Sequence, residues 1–119
     1  MPTDFRDGKT FPRRGRQQIG EALWLARLSD KARADAAGTI DDYIYPCPMD
    51  RGVIERWGTT VAAFEDALRQ HATDDELYAW LVANVPMEKI REANRWLLEE
   101  RKENLDRQDA EEGVALEAR

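Results

Sequence analysis

The stretch Trp24–Asp50, WLARLSDKARADAAGTIDDYIYPCPMD, limits the fold more than any other part of the chain. It joins a helix rich in apolar and charged residues to a loop that cannot be helical. Residues 19–37 read as that helix, with Gly38 as its stop. Ile19, Ala22, Leu23 and Ala26 share one face, while Trp24, Leu25, Leu28 and Ala32 cover much of the other. A helix apolar on both sides is usually central and buried. Pro46 and Pro48 then bracket Cys47, and each biases its predecessor towards extended geometry. Residues 39–48 are unusually aromatic for a connection, so they are expected to pack back on the helix.

The charges on this helix set the main energetic question. At about 100° per residue, Asp30 falls beside Ile19, Leu23 and Ala26, on an apolar face. A buried carboxylate must be paired or hydrogen-bonded, because an unpaired buried charge is strongly destabilising. Arg27 and Arg33 lie three residues to either side, within helical pairing reach. The expectation is therefore that Asp30 sits between these arginines or receives hydrogen bonds from the following loop.

The rest of the chain supplies local signals. Residues 1–18 combine Arg6, Lys9, Arg13, Arg14 and Arg16 with Pro2, Pro12, Gly8 and Gly15, which forbids a continuous helix. This basic, irregular arm could be pinned to the body by Phe5 and Phe11. Asp50 is a credible N-cap for a helix over 51–57, with Val53, Ile54 and Trp57 inward and Gly58 at its end. Thr60 caps a helix over 61–71, and Thr73–Glu76 forms a capping box that opens a helix over 74–84. Pro86 suits the first turn of a last helix, roughly 86–109, with Ile90, Ala93, Leu97, Arg101 and Leu105 on one stripe. Trp24, Trp57 and Trp80 read as core, and Trp96 as the most exposed tryptophan. The fold class is all-α: a compact single-domain bundle of about five helices with a long C-terminal helix. It divides into the arm 1–18, a helical domain 19–109 and a disordered tail 110–119.

Composition narrows the function classes. The chain is 35% charged, against a typical ~25%, and its 119 residues fit one domain. Residues 1–33 carry eight Lys/Arg against four Asp/Glu, and residues 34–119 carry ten against twenty. A basic arm on an acidic body can pair with its own body or with an acidic partner. The net charge of −6 argues against duplex DNA, where phosphate contacts dominate affinity. A single cysteine allows no internal disulfide and fits a reducing cytoplasm. No leader and no membrane-spanning run is read, so the localisation expected is cytoplasmic.

The candidate site is the junction of helix 19–37 and loop 39–50: Arg27, Asp30, Lys31, Arg33, Tyr43, Tyr45, Cys47 and Asp50. Three cations near one carboxylate and two tyrosines could hold a small anionic ligand or a protein partner. The same residues could instead lock the loop to the helix, and the balance favours that structural role. Catalysis by Asp30, Tyr45 or Cys47 is the alternative, although Cys47 lacks a visible base and His71 reads as a helix-end residue. No metal and no tightly held cofactor is expected. A third reading is a homodimer through Ile90, Leu97 and Leu98.

The order of several short motifs also carries a resemblance. Pro12-Arg13 through Arg16, Ile19-Gly20, Trp24-Leu25, Arg27-Leu28 and Asp30-Lys31-Ala32-Arg33-Ala34 come first. Gly38-Thr39-Ile40, Tyr43-Ile44-Tyr45, Cys47-Pro48-Met49-Asp50, Ala63-Phe64 and Ala72-Thr73-Asp74 with Trp80 follow. Over residues 12–85 the chain resembles a bacterial domain-of-unknown-function family, the one numbered 5069. It departs from that pattern at Ala26, where a proline is expected, and at Pro46, where a polar residue is. The resemblance implies no activity.

Overall fold

Six helices surround one core in the computed structural model, which describes residues 2–112. They are α1 Leu25–Ala37, α2 Pro48–Trp57, α3 Val61–Gln70, α4 Asp74–Asn84, α5 Met87–Glu99 and α6 Lys102–Glu111. Among the described residues there is no strand, only an isolated bridge between Ile19 and Ala22. The all-α class is as expected, with one helix more than anticipated. Helix α1 is the axis of the fold, for every residue from Leu25 to Ala32 is buried. Around it, α2 packs mainly on α5, and α3 touches both α1 and α4. Trp24, Trp57, Phe64, Leu77, Leu81, Ile90, Leu97 and Leu105 fill the core.

The first helix starts at Leu25 rather than at residue 19. Gly20 adopts φ +58° with its Cα against the Tyr78 ring, so residues 19–22 make a tight turn. The turn's backbone is satisfied from outside. The Asn94 side chain accepts from the Leu23 N–H at 3.1 Å and donates to the Glu21 carbonyl at 2.7 Å. The Trp24 N–H reaches the Gly15 carbonyl at 2.8 Å. Tertiary hydrogen bonds thus replace the helical ladder that periodicity alone suggested.

The second helix also begins earlier than expected, and Asp50 is not its N-cap. Cys47 is the cap, Pro48 occupies the first turn, and Asp50 is the third helical residue of a capping box. The Cys47 Sγ accepts from the Asp50 N–H at 3.4 Å, and the Asp50 carboxylate accepts from the Cys47 N–H at 2.9 Å. Thr60 and Thr73 cap α3 and α4 at the expected positions. Pro86 immediately precedes α5 rather than lying within its first turn.

The long C-terminal helix is two helices, broken at Glu100–Arg101. A straight helix would carry Leu105 about 12 Å along the axis beyond Leu97, past the body. The break instead returns Leu105 to the core, against Gly15 beneath the Trp24 ring. Helix α6 continues to Glu111, and Glu112 is buried. Of the tail expected over 110–119, residues 113–119 lie outside the described residues. Ile90 and Leu97 are both fully buried within the chain, leaving Leu98 as the exposed member of the proposed dimer stripe.

Trp96 is half-buried, with the Arg56 guanidinium 3.9 Å above its ring. Gly52 of α2 lies against the same indole, where an added Cβ would come within 2.4 Å of Trp96 Cη2. Ala normally stabilises a helix interior over Gly by about 1 kcal/mol. Here Gly52→Ala is expected to cost about 1–3 kcal/mol, because the indole must be displaced from a packed slot. Urea denaturation checks this, and a stabilised variant would refute the contact.

Candidate functional site

The eight candidate residues do not converge on one pocket. They divide into networks that tie α1 to three different segments. Asp30, fully buried, receives the Arg13 backbone N–H at 2.9 Å, its Nε at 3.0 Å and its Nη2 at 3.0 Å. Arg13 also reaches Asp74 at the start of α4, at 2.5 and 3.1 Å. Thus Arg13 of the arm, not Arg27, is the bidentate partner of Asp30. Arg33 donates to the His71 carbonyl at 2.9 Å and so joins α1 to the end of α3.

Lys31 and Asp50 form the second network. Lys31 Nζ lies 2.8 Å from Asp50 Oδ2 and 3.4 Å from Cys47 Sγ, and both charged side chains are buried. The Trp24 indole N–H donates to Asp50 Oδ1 at 2.8 Å. Both Asp50 oxygens are therefore engaged, one by Trp24 and the other by Lys31 and the Cys47 N–H.

The third network was not anticipated. Arg27 Nη1 and Nη2 grip the Glu112 carboxylate at 2.8 and 3.2 Å, and the Tyr43 hydroxyl donates to it at 2.8 Å. The Arg27 guanidinium lies 5.7 Å from the ring centroids of both Trp24 and Tyr43. Tyr45 turns away and donates to Glu65 of α3 at 3.1 Å. Among the described residues, no group of three His, Cys, Asp or Glu side chains is placed to hold a metal ion.

The electrostatics follow from burial and pairing. Burial pushes the Asp30 carboxyl above its usual range, against the opposing pull of the Arg13 hydrogen bonds. Asp74, nearer the surface, is held below its usual value chiefly by its hydrogen bond to Arg13. Burial, with a neighbouring carboxylate in each case, raises the Tyr43 and Tyr45 hydroxyls, so both remain protonated donors at neutral pH.

Two of the cavities that border these networks meet at Glu112. One, of about 380 Å³, is lined by Arg27, Tyr43, Asn104, Arg107 and Glu112, among others. The other, of about 590 Å³, lies under the arm and includes Lys9, Arg13, Arg14, Gln17 and Glu112. Phe11 and Glu112 line both. Arg13 and Glu112 are the residues that sequence reasoning missed. Their one sequence signal was the excess of basic charge in the arm over an acidic body.

The fold and these networks define a small all-α domain stapled by buried ion pairs around one helix. The model of a domain of unknown function, DUF5069, matches residues 9–118, and the chain belongs to that family. No curated protein matches the chain.

Two outcomes test the Arg13 network. Arg13→Met leaves Asp30 buried without its fork and should cost about 3–5 kcal/mol, while adding Asp30→Leu should recover part of that loss. Chemical denaturation of the two variants measures it, and additive losses would reject the pairing. Asp74 has a lowered folded pKa, so its stabilising contribution is present above the unfolded carboxyl pKa and disappears as pH falls through the folded value. Asp74→Asn should therefore cost about 1 kcal/mol at neutral pH and progressively less as the pH falls below the ordinary carboxyl range. A pH-independent loss would contradict the assigned charge interaction.

Proposed function

We propose that the chain is a small cytosolic binding module of bacterial origin whose partner is a small anion. The site spans the cavities between the arm, the α1–loop junction and α6. The observation that carries the reading is the charge of the 590 Å³ cavity, where Lys9, Arg13 and Arg14 face Glu112. Arg13 is engaged by Asp30 and Asp74, and Glu112 by Arg27. Lys9 makes no ion pair among the described residues, and Arg14 Nε stands 3.8 Å from Asp109. Lys9 and Arg14 thus supply positive charge to a cavity in which Phe11 is an apolar wall. Its volume falls within the ~300–1,000 Å³ typical of small-molecule sites.

The test is a thermal-shift panel of phosphorylated metabolites, nucleotides and small carboxylates, followed by calorimetry. At least one anion should raise the melting temperature of the parent. Charge reversal by Lys9→Glu with Arg14→Glu should weaken its binding by about tenfold or more while the fold is retained. A panel without any shift, or binding indifferent to the charge reversal, rejects the reading.

A further inference from the structure

The Glu112 carboxylate is held as a bound ligand would be. Arg27 offers a planar fork, Tyr43 adds a third donor, and the Arg27 side chain is only 7% exposed. Arg27 comes from α1 and is buried, and Tyr43 comes from the 39–47 segment and is half-buried. The carboxylate comes from the far end of α6, 85 residues along the chain from Arg27.

At that far end the Glu112 N–H caps the helix on the Gln108 carbonyl at 2.9 Å, and Arg16 of the arm answers Asp109 at 2.7 Å. Glu111 and Glu112 lie at the negative pole of α6, and the helix's own last turn carries no basic residue. Leu105 is the one buried residue within α6. Glu112 also lines both cavities, so its displacement would join them around Arg27.

We propose that Arg27 and Tyr43 form a carboxylate-binding cradle with Glu112 as its internal occupant. A ligand carboxylate takes the place of Glu112 as the last turn of α6 releases. This rests on the binding-module reading and names its ligand class. A planar carboxylate matches the fork in the bidentate manner that Glu112 already displays. Competition with the internal occupant lowers apparent affinity by the fraction of molecules in which the cradle is open.

Propionate, a free copy of the glutamate side chain, is the probe. Its dissociation constant, from calorimetry or melting-point titration, should be at least about tenfold lower for Glu112→Ala than for the parent chain. Arg27→Met in the Glu112→Ala background should abolish that gain. In the parent, saturating propionate should accelerate amide hydrogen exchange over residues 109–112. This second measurement decides the matter where Glu112→Ala fails to fold. Equal affinity in parent and Glu112→Ala, a gain that survives Arg27→Met, or unchanged exchange overturns the cradle. Anion binding that responds to Lys9 and Arg14 but not to Glu112 overturns the cradle alone. Absence of anion binding in every variant overturns both the cradle and the module reading.

Discussion

A helix buried on every side over residues 25–32 must carry its charges into the core with it, and this constraint organises the whole molecule. Helix α1 brings Arg27, Asp30 and Lys31 inside. Each is answered from a different part of the chain: Glu112 at the end of α6, Arg13 in the arm, and Asp50 in α2. An unpaired charge at any of these positions would be strongly destabilising. Pairing therefore fixes where the arm, the second helix and the last helix must lie. The surface ion pairs of Arg16 with Asp106 and Asp109 reinforce the same arrangement at lower individual value.

The sequence was most legible where structure is local. The capping box at Thr73–Glu76, the Thr60 cap and the Gly38 stop each depend on residues within one turn of a helix end. Asp30 was also recognisable as a buried carboxylate, since helical spacing alone places it on an apolar face. Its partner was not recognisable. The rule for helix neighbours points to Arg27 and Arg33, but Arg13 lies in an irregular segment with no periodicity to reveal where it faces. The early start assigned to α1 failed for a related reason. Residues 19–24 have a helical pattern of apolar side chains, yet their backbone is bonded to Gly15, Asn94 and Tyr78. Glu112 was hidden because a run of charge at a helix end looks the same whether it is solvated or drawn into a core.

The candidate residues share a neighbourhood but not a chemistry. Lys31, Cys47 and Asp50 have the composition of a reactive group, with an ammonium, a thiol and a carboxylate within hydrogen-bonding reach. General acid–base work requires a face open to substrate. Asp50 has no exposed surface, and both of its oxygens already accept hydrogen bonds from Trp24, Lys31 and the Cys47 backbone. The geometry suits a staple between α1 and α2. Asp30 is similarly enclosed, with three donors from one arginine.

The two acidic partners of α1's cations differ in where they sit on their own helices. Asp50 occupies the first turn of α2, where the positive pole of the helix favours a carboxylate and the capping box fixes its rotamer. It would remain well placed even with Lys31 replaced. Glu112 lies just beyond the C-terminal turn of α6, where the helix pole disfavours a carboxylate and two other acidic residues add repulsion. Its carboxylate is held by Arg27 and Tyr43 and its N–H by the Gln108 carbonyl, and it lines two cavities. On the cradle proposal, the same ion-pair chemistry gives a fixed joint at one end of α1's charged segment and an exchangeable contact at the other. A ligand carboxylate that takes the place of Glu112 would keep Arg27 paired, whereas simple separation would leave a buried guanidinium without a counter-charge.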